Sequence, residues 1–330
     1  MGLINGVVEG ILAIDAGNSK TDVCVVSADG ELLGSARGGP FRPHRVGADA
    51  AVASIAPAVA EALSRAGSVE VRHVAACLAN VDLPVEHEAI EAAVAAAGWA
   101  PSYDVVNDTF ALLRAGLDSS RGVAVVCGAG INCTGVLADG TTVRFAAVGH
   151  ISGDWGGGGY LWQEAMWWAA RAEDGRGPDT ALRTVLPRHV GLDSMAALIE
   201  AVHVGALPEE RCMELTPLLF SVAESGDEVA AGVVRRQAEE VVALAATAIH
   251  RLGALDSPVD VVLGGGVLAA RHPLLMDEIA RLLADAAPLA VARVVEAPPI
   301  VGAALLGLDR IEAAAGAQQR LRESFRVAAG

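Results

Sequence analysis

The residues that could bind a phosphate group lie in one short loop near the start of the chain. An apolar run, Ile11–Ile14, ends in Asp15, and the next six residues contain a glycine, polar side chains and the only lysine of the chain. Glycine lets a backbone offer N–H groups to phosphate oxygens at close range, and an ammonium adds positive charge. A lysine retained by chance on a hairpin is the alternative for Lys20 taken alone. The candidate phosphate-binding residues are Asp15, Gly17, Asn18, Ser19, Lys20 and Thr21.

Two later loops repeat the pattern of glycine directly after an apolar strand. Their candidate nucleotide-binding residues are Gly128, Ala129, Gly130, Gly264, Gly265 and Gly266. Each loop alone is also typical of an ordinary turn, whereas three such loops in one chain favour a nucleotide site. The chain has neither a Walker loop nor a GxGxxG fingerprint after its first strand, so it fits neither of those two classes.

The elements around these loops indicate an α/β fold that is built twice. The order strand, polar loop, strand, tight turn, strand begins at Ile11 and returns at Gly122, and the turns Ala28–Gly30 and Ala138–Gly140 lie about 110 residues apart. Apolar strands elsewhere alternate with helical patterns, which is typical of α/β sheets. We therefore expect a duplicated fold whose two sets of loops face each other across a cleft.

A third group of polar residues follows the short predicted strand Tyr103–Val106. This strand delivers Asn107 and Asp108 to its carboxyl end, which is where α/β sheets place ligands. A helix is predicted from Thr109, so Asp108 is also a candidate helix N-cap. The proline- and glycine-rich segment Gly38–His44 is predicted to be a loop.

Composition restricts the partners and the compartment. The net charge of −16 argues against nucleic acid, whose binding depends on Lys and Arg neutralising phosphates. The sequence contains no uninterrupted run of 18 apolar residues, so it does not suggest a membrane span. Met1–Gly10 lacks the cationic flank of a secretory signal. We therefore expect a soluble, cytoplasmic protein. Five scattered cysteines inside or beside apolar runs indicate buried, reduced thiols, although the close pair Cys127 and Cys133 leaves a redox role open.

The motifs together resemble a known superfamily. Asp15–Asp22 is similar to the first phosphate motif of the actin-like ATPases and sugar kinases, in the form of the N-acetylglucosamine kinases and the BadF/BadG/BcrA/BcrD ATPases. Gly128–Thr134 resembles the second phosphate motif, Val261–Gly266 the adenosine motif, and Pro299–Ala303 the second connecting helix. The resemblance covers residues 10 to 310.

The resemblance implies two ribonuclease-H-like domains that close over Mg-ATP. We place the N-terminal domain at residues 1–117 with about 303–330, and the C-terminal domain at 118–302. In such a site Asp15 holds Mg²⁺ through water, Lys20 and Thr21 lie near the phosphates, and Gly265 and Gly266 pack on the adenosine.

The superfamily divides by what accepts the phosphoryl group. In the sugar kinases of this kind an aspartate at the place of Asp108 is the base for a sugar hydroxyl. Phosphoryl transfer otherwise depends mainly on positioning and charge neutralisation. The resemblance therefore implies phosphorylation of an amino sugar, N-acetylglucosamine or a close relative, at its 6-hydroxyl, with Asp108 as the catalytic base.

The candidate sugar-binding residues depart from the family pattern at two places. Gly153 and Asp154 resemble a Gly-Asp-Glu-Gly-Ser segment, but Trp155 stands where the glutamate would be. The loop that gives an asparagine to the sugar has none here, so Arg42 or His44 takes over, or His44 is a solvated loop residue. The substrate-binding candidates are Asn80, Asn107, Asp108, Gly153, Asp154, His44 and Arg42. These departures leave the identity of the sugar open.

Two other functions remain as alternatives. The first is an ATPase that activates a 2-hydroxyacyl-CoA dehydratase through an iron–sulfur cluster shared by two subunits, a role that needs exposed cysteines. The second is a catalytically silent nucleotide sensor, which does not account for Asp15, Lys20 and Asp108 together. The tryptophans at 162, 167 and 168 fit a sugar platform, a core or a homodimer interface, and the oligomeric state stays open.

Overall fold

The computed structural model describes residues 3, 4 and 7–328. The chain divides into two compact units: unit 1 comprises Met1–Ala124, Thr134–Val148 and Val295–Gly330, and unit 2 comprises Val125–Cys133 and Gly149–Val294. The domain boundaries predicted from the sequence stay a prediction. Residues 1, 2, 5, 6, 329 and 330 of the predicted N-terminal domain lie outside the described part, as does part of the segment expected to lack a secretory signal.

Unit 1 begins with a sheet that is covered by helices on both faces. Its strands are β1 (Leu3–Ile4), β2 (Val7–Ala16), β3 (Thr21–Ser27), β4 (Leu32–Gly38), β5 (Val69–Leu78) and β6 (Tyr103–Asn107). The helices among these strands and directly after them are α1 (Pro43–Val46), α2 (Ala48–Ala66), α3 (Pro84–Ala97) and α4 (Asp108–Gly116). The strand order is β4-β3-β2-β5-β6, and β1 pairs with β2.

The predicted antiparallel start is confirmed, but the predicted loop Gly38–His44 is wrong at both ends, because Gly38 belongs to β4 and Pro43 begins α1. β2 and β3 pair antiparallel with Asp15 opposite Asp22, and β3 pairs antiparallel with β4. Pro43 opens the helix α1, because the fixed φ angle of proline suits the first helical position. The chain from Gly39 to Arg42 is irregular, as expected.

The parallel strands bring three candidate positions together at the carboxyl ends of the strands. β2 runs parallel to β5 with Ala16 opposite Leu78, and β5 runs parallel to β6 with Leu78 opposite Asn107. Asp15 and Asn107 therefore stand at the carboxyl ends of β2 and β6. Asn80 follows β5 at the same edge, where α/β sheets place ligands.

The core of unit 1 consists of one apolar cluster on each face of the sheet. Alternate residues of β2 divide between the clusters, because successive side chains of a strand point to opposite faces. Leu12 and Ile14 belong to the cluster formed with α2 and α3. Ile11 and Ala13 belong to the cluster formed with two C-terminal helices, α13 (Pro299–Arg310) and α14 (Ala317–Ala328).

Helices α4 and α13 approach each other with backbone against backbone. A Cβ atom added to Gly302 of α13 would collide with the carbonyl oxygen of Ala111 in α4. The same pair of helices is held at its other end by Arg114, whose guanidinium donates to Asp309 at 2.8 and 3.3 Å while its side chain is only 2% exposed. Glycine at position 302 is therefore required by packing.

The second sheet has the order β11-β10-β7-β8-β9. Its strands are β7 (Gly122–Cys127), β8 (Ile131–Val136), β9 (Thr142–Arg144), β10 (Val259–Gly264) and β11 (Ala290–Val294). The helices between β9 and β11 are α5 (Gly158–Glu173), α6 (Leu182–His189), α7 (Met195–His203), α8 (Glu209–Met213), α9 (Leu215–Glu224), α10 (Glu228–Arg251), α11 (Gly266–Ala269) and α12 (Pro273–Ala286). Within the described ranges, no helix has the length and apolarity that crossing a membrane requires.

Candidate functional site

The phosphate-loop candidate of unit 1 is the turn that joins β2 to β3. The backbone N–H of Gly17 donates to the carbonyl of Lys20 at 2.8 Å and closes the turn, while the Gly17 carbonyl accepts from the N–H of Phe41 at 2.9 Å. The side chain of Thr21 is buried and donates to the carbonyl of Gly39 at 2.9 Å. Ser19 is exposed beside Lys20. The loop is thus held in shape by its own backbone and by the segment after β4.

Lys20 is already paired in this structure. Its ammonium lies 2.7 Å from Asp22 Oδ2, and Arg37 Nε lies 2.6 Å from Asp22 Oδ1. The Lys20 side chain is half exposed, whereas Asp22 is buried. A phosphate that binds Lys20 must therefore share its ammonium with Asp22. Asp22 would keep Arg37 as a second cationic partner.

Asp15 is a partly buried carboxyl group with an unusual proton affinity. Burial, followed by the negative charges of Asp108 and Asp22, raises its pKa to about 8, although the Lys20 charge acts in the opposite direction. Charges of one sign near a desolvated acid favour its neutral form. A cation bound beside Asp15 would restore the ionised carboxylate.

A hydrogen-bonded group joins the phosphate loop to two predicted sugar-binding residues. Asn80 Nδ2 donates to Asn18 Oδ1 and to the carbonyl of Phe41, both at 3.1 Å, and Arg42 Nε donates to the carbonyl of Asn18 at 2.9 Å. Asn80 has a positive φ of 61°, a conformation that asparagine tolerates better than most residues. His44 lies exposed on α1 and is not part of this group.

Asn107 is the N-cap of α4. Its Oδ1 accepts from the N–H of Thr109 at 3.1 Å and from the Thr109 hydroxyl at 2.7 Å, and its Nδ2 donates to Asp82 Oδ1 at 2.9 Å. The alternative of Asp108 as the N-cap is therefore wrong, because Asn107 occupies that position and Asp108 is the first residue of the helix. The Asp108 carboxyl group is left for another role.

Asp108 is partly buried and has a pKa close to neutral. Burial raises its pKa to about 6, against the opposing effects of the Thr109 N–H, its own N–H and the Arg144 charge. Arg144 also donates to the carbonyl of Val81 and lies 3.9 Å from Asp82 Oδ1. A carboxyl group with such a pKa can accept and release a proton near neutral pH.

The glycine loops of unit 2 pack directly on one another. The N–H of Gly158 donates to the carbonyl of Gly128 at 2.7 Å, and the N–H of Gly159 donates to the carbonyl of Ala129 at 2.9 Å. A Cβ at Gly265, whose φ is +85°, would lie 2.5 Å from the carbonyl of Cys127, and one at Gly157 would lie 2.5 Å from the backbone of Gly130. The loops at Gly128–Gly130 and Gly264–Gly266 therefore meet, as a joint nucleotide site requires.

Asp154 stands at the start of the third glycine loop of unit 2, after Gly153. Its carboxylate accepts from the Ser152 hydroxyl, and its N–H donates to the carbonyl of Gly149 at 3.1 Å. Trp155 is nearly buried, with the Arg236 guanidinium 4.1 Å from the centre of its ring. The residue that replaces the family's glutamate is thus an indole covered by a cation.

Gln237 is a functional candidate that the sequence reasoning missed. It lies fully buried on α10, and its Oε1 accepts from the N–H of Gly157 at 2.9 Å. Its Nε2 has no hydrogen-bond partner among the described residues. A lone amide on the buried face of an alanine- and valine-rich helix is the signal that could have identified it, because buried polar groups usually have partners.

The cysteines are buried, whereas the tryptophans of α5 are partly or half exposed. All five cysteines are free and buried, as predicted, and burial raises the pKa of Cys127 to about 12. Trp167 is half exposed, packs edge-on against Trp168 at 4.6 Å and carries Arg171 4.5 Å from its ring centre. Trp162 and Trp168 are partly buried, and a homodimer interface on α5 stays a prediction.

Comparison with protein families decides the classification. The BadF/BadG/BcrA/BcrD ATPase family matches residues 12–307. The chain belongs to this family. The predicted family relationship is therefore confirmed.

Individual relatives of this ATPase family member carry kinase names. The chain is 25% identical over 260 residues to an N-acetylmuramic acid/N-acetylglucosamine kinase of Clostridium acetobutylicum, covering 78% of this chain and 85% of that protein. It is 27% identical over 311 residues to an N-acetyl-D-glucosamine kinase of Dictyostelium discoideum, covering 90% and 97%.

Solved structures show the fold. A candidate N-acetylglucosamine kinase from Chromobacterium violaceum superposes with a TM-score of 0.71 at 21% identity, covering 91% of this chain and 99% of that one. A ROK family glucokinase from Streptomyces griseus, solved with glucose and AMPPNP, gives 0.58 at 19% identity, covering 90% and 98%. The predicted α/β fold with two ribonuclease-H-like, actin-like ATPase domains is confirmed.

Proposed function

We propose that this protein is an ATP-dependent sugar kinase that phosphorylates N-acetylglucosamine or a close relative at its 6-hydroxyl. The observation that carries the proposal is Asp108, a carboxyl group with a pKa of about 6 at the first position of α4. The names of the two relatives, at 25% and 27% identity, support the same acceptor class.

Asp108 supplies the base that the reaction needs. The sugar hydroxyl transfers its proton to the Asp108 carboxylate while its oxygen forms the new bond to the γ-phosphorus. The bond between the γ-phosphorus and the bridging oxygen breaks, and ADP leaves with that electron pair. The proton then passes from Asp108 to solvent. A base with a pKa near the working pH suits both steps.

In unit 1, Asp15 is proposed to hold Mg²⁺ through water, and Lys20 and Thr21 are proposed to lie near the phosphates. Mg²⁺, when bound, neutralises charge on the phosphate oxygens. Burial, followed by the negative charges of Asp108 and Asp22, raises the pKa of Asp15, and a cation held through water would favour its ionised form. Within the described residues no three acidic, histidine or cysteine side chains form a set that could hold a metal, so direct ligation by the protein is not proposed. In unit 2 the candidate nucleotide-binding loops are Gly128–Gly130 and Gly264–Gly266, which pack on each other.

The candidate sugar-binding residues stay a proposal from the sequence. In unit 1 these are Asn80, Arg42, Asn107 and Asp108, of which Asn80 and Arg42 are fixed on Asn18 and therefore need little reordering. In unit 2 they are Gly153 and Asp154. His44, which is exposed, remains the weakest of the proposed contacts.

The iron–sulfur activator is less well supported. A shared cluster needs cysteine thiolates at the surface of each subunit. All five cysteines here are buried, and burial raises the pKa of Cys127 and Cys133, so their thiolates are disfavoured.

ATP consumption with a panel of sugars tests the proposal. N-acetylglucosamine, N-acetylmuramic acid, glucose and a sugar-free control are compared, and N-acetylglucosamine lacking its 6-hydroxyl is the matched control. We expect turnover with at least one amino sugar and none with the 6-deoxy compound. Coupling of the product phosphorus to the two C6 protons identifies the position by NMR. ATP turnover that is independent of sugar contradicts the kinase, and turnover of the 6-deoxy compound contradicts the position.

A further inference from the structure

Unit 1 contains a cavity that the proposed kinase reaction does not use. The cavity has a volume of about 330 Å³ and lies at the β6 edge of the first sheet. Its inner wall is formed by β5 through Ala75 and Cys77, and its sides by Val106 of β6, Phe110 of α4 and Leu306 of α13. Ligand pockets in proteins have volumes from about 300 Å³ upwards. The space is therefore sufficient for a small organic molecule.

One polar atom in the inner wall is left without a partner. His73 lines the cavity and is 1% exposed, and its Nδ1 lies 3.0 Å from the Ser102 hydroxyl. Its Nε2 forms no hydrogen bond to any described residue, and Asp104 Oδ2, 3.4 Å away, does not provide one. A buried donor or acceptor that forms no hydrogen bond carries an energetic cost. A ligand that reaches Nε2 would recover this energy.

The charges around the cavity are already paired. Asp104 lies 3.3 Å from Arg310 Nε, and Asp309 accepts from Arg114 at 2.8 Å and from Gln318 at 2.6 Å. Asp104 and Arg310 are about half exposed and form the rim, whereas His73 lies deep. A charged ligand would find no unpaired opposite charge among these groups. A neutral ligand is favoured.

The hydrogen-bonding atom of the ligand follows from the imidazole. The Ser102 hydroxyl can donate to Nδ1 or accept from it, so Nε2 can be either a donor or an acceptor. A hydroxyl group on the ligand satisfies both cases, since it donates and accepts. The Cys77 sulfur and the Phe110 ring favour an aromatic body.

We propose that this cavity is a second ligand site, which takes a small neutral molecule with an aromatic ring and one hydroxyl group that hydrogen bonds to His73 Nε2. Val106 and Phe110 contact the ligand on either side of Asn107 and Asp108 in the chain. Occupancy therefore reaches the segment that positions Asp108, but the site does not depend on the proposed kinase function.

Binding of 4-methylphenol and toluene, followed by NMR titration of the full chain, tests the site. The two probes differ in the hydroxyl group alone. Saturable binding of both is expected, with 4-methylphenol tighter by about fivefold, the ratio that one net hydrogen bond of about 1 kcal/mol provides. His73→Leu should reduce this ratio to about one, and the exposed control His203→Gln should leave it unchanged.

Leu306→Trp provides an independent variant, because it fills the cavity from the partly exposed face of α13 without removing the histidine. It should abolish binding of both probes in a protein that unfolds at the wild-type temperature. The proposal is overturned if the wild type binds neither probe saturably, which would mean that water alone occupies Nε2. It is also overturned if Leu306→Trp binds both probes as before, or if His73→Leu keeps the preference for 4-methylphenol.

Discussion

Burial raises the pKa of Asp15, and the negative charge of Asp108 raises it further. Asp15 stands at the carboxyl end of β2 and Asp108 directly follows the carboxyl end of β6, with β5 between the two strands. The repulsion between the two ionised carboxylates is unfavourable. It is relieved when a cation binds beside them or when one of them is protonated.

Replacing Asp108 with Asn should abolish sugar phosphorylation and retain ATP binding. General bases contribute about 10²–10⁴-fold, so kcat should fall by that factor. Single-turnover assays and equilibrium ATP binding measure the two effects. Turnover close to the wild-type rate would rule out Asp108 as the base.

The same variant should be more stable than the wild type at neutral pH. The folded-state pKa of Asp108 is about 6, above its ordinary value of 3.8, so the ionised form is disfavoured by folding. This cost is absent below about pH 4 and is fully present above about pH 6, where it is on the order of 1–3 kcal/mol. Thermal unfolding of Asp108→Asn at pH 4 and pH 7.5 should show a gain only at the higher pH.

Asp139 provides a control of opposite sign. It is exposed in a turn, and hydrogen bonding to Thr141 lowers its pKa. Its ionised form therefore stabilises the fold above its ordinary pKa, and this contribution is lost as the pH falls. Asp139→Asn should give no gain in unfolding temperature at pH 7.5. An equal gain in both variants would show that the effect at Asp108 is only a general reduction of negative charge.

The pH profile of the kinase should report Asp108 directly. Because protonation removes the base, kcat/KM should decline about tenfold per pH unit below a midpoint near 6, the pKa in the free protein. Initial rates from pH 5 to pH 8 measure the profile. A flat profile across this range would contradict the assignment.

Replacing Lys20 with Met should weaken ATP binding by about fivefold to 30-fold, as expected for the loss of one charged hydrogen bond of roughly 1–2 kcal/mol. Arg37→Met is the matched control, since Arg37 pairs with the other oxygen of Asp22. Calorimetric titration should show a change for Lys20 and little change for Arg37. Equal effects of the two variants would indicate that both act through Asp22.

Replacing Gln237 with Leu should destabilise unit 2 and weaken ATP binding. The substitution leaves the N–H of Gly157 without its acceptor, at a cost of about 1–3 kcal/mol, and loosens the loop that packs on Gly128–Gly130. Gln319→Leu, an exposed amide on α14, is the control. Denaturant unfolding and ATP titration test the role of Gln237. An unchanged free energy of unfolding together with an unchanged ATP affinity would contradict it.

Local sequence patterns predicted the parts of the site that belong to one strand and its following loop. Asp15, Asn107 and Gly265 each follow an apolar run, and the register of parallel strands then brings the unit 1 residues to one edge. The same information offered Asp108 as the N-cap of α4, whereas the structure uses Asn107; Asn and Asp are both good N-caps, so residue type does not decide between them.

Contacts between distant residues could not be predicted in this way. Gln237 meets Gly157 across 80 positions of sequence, and no periodicity marks that pairing. The burial of His73 depends on α13, which follows more than 200 residues later. Side-chain partners of this kind depend on how distant segments pack together. The sequence pattern of one segment does not determine that packing.

The contact between Gly302 and Ala111 has a mechanical consequence for the catalytic group. Side chains behind a helix can change rotamer and absorb a push, whereas two backbones in direct contact have no such compliance. α4 therefore cannot move closer to α13 at Ala111, one turn after the proposed base Asp108. Gly302 thus fixes how closely α13 supports the helix that begins with the proposed base.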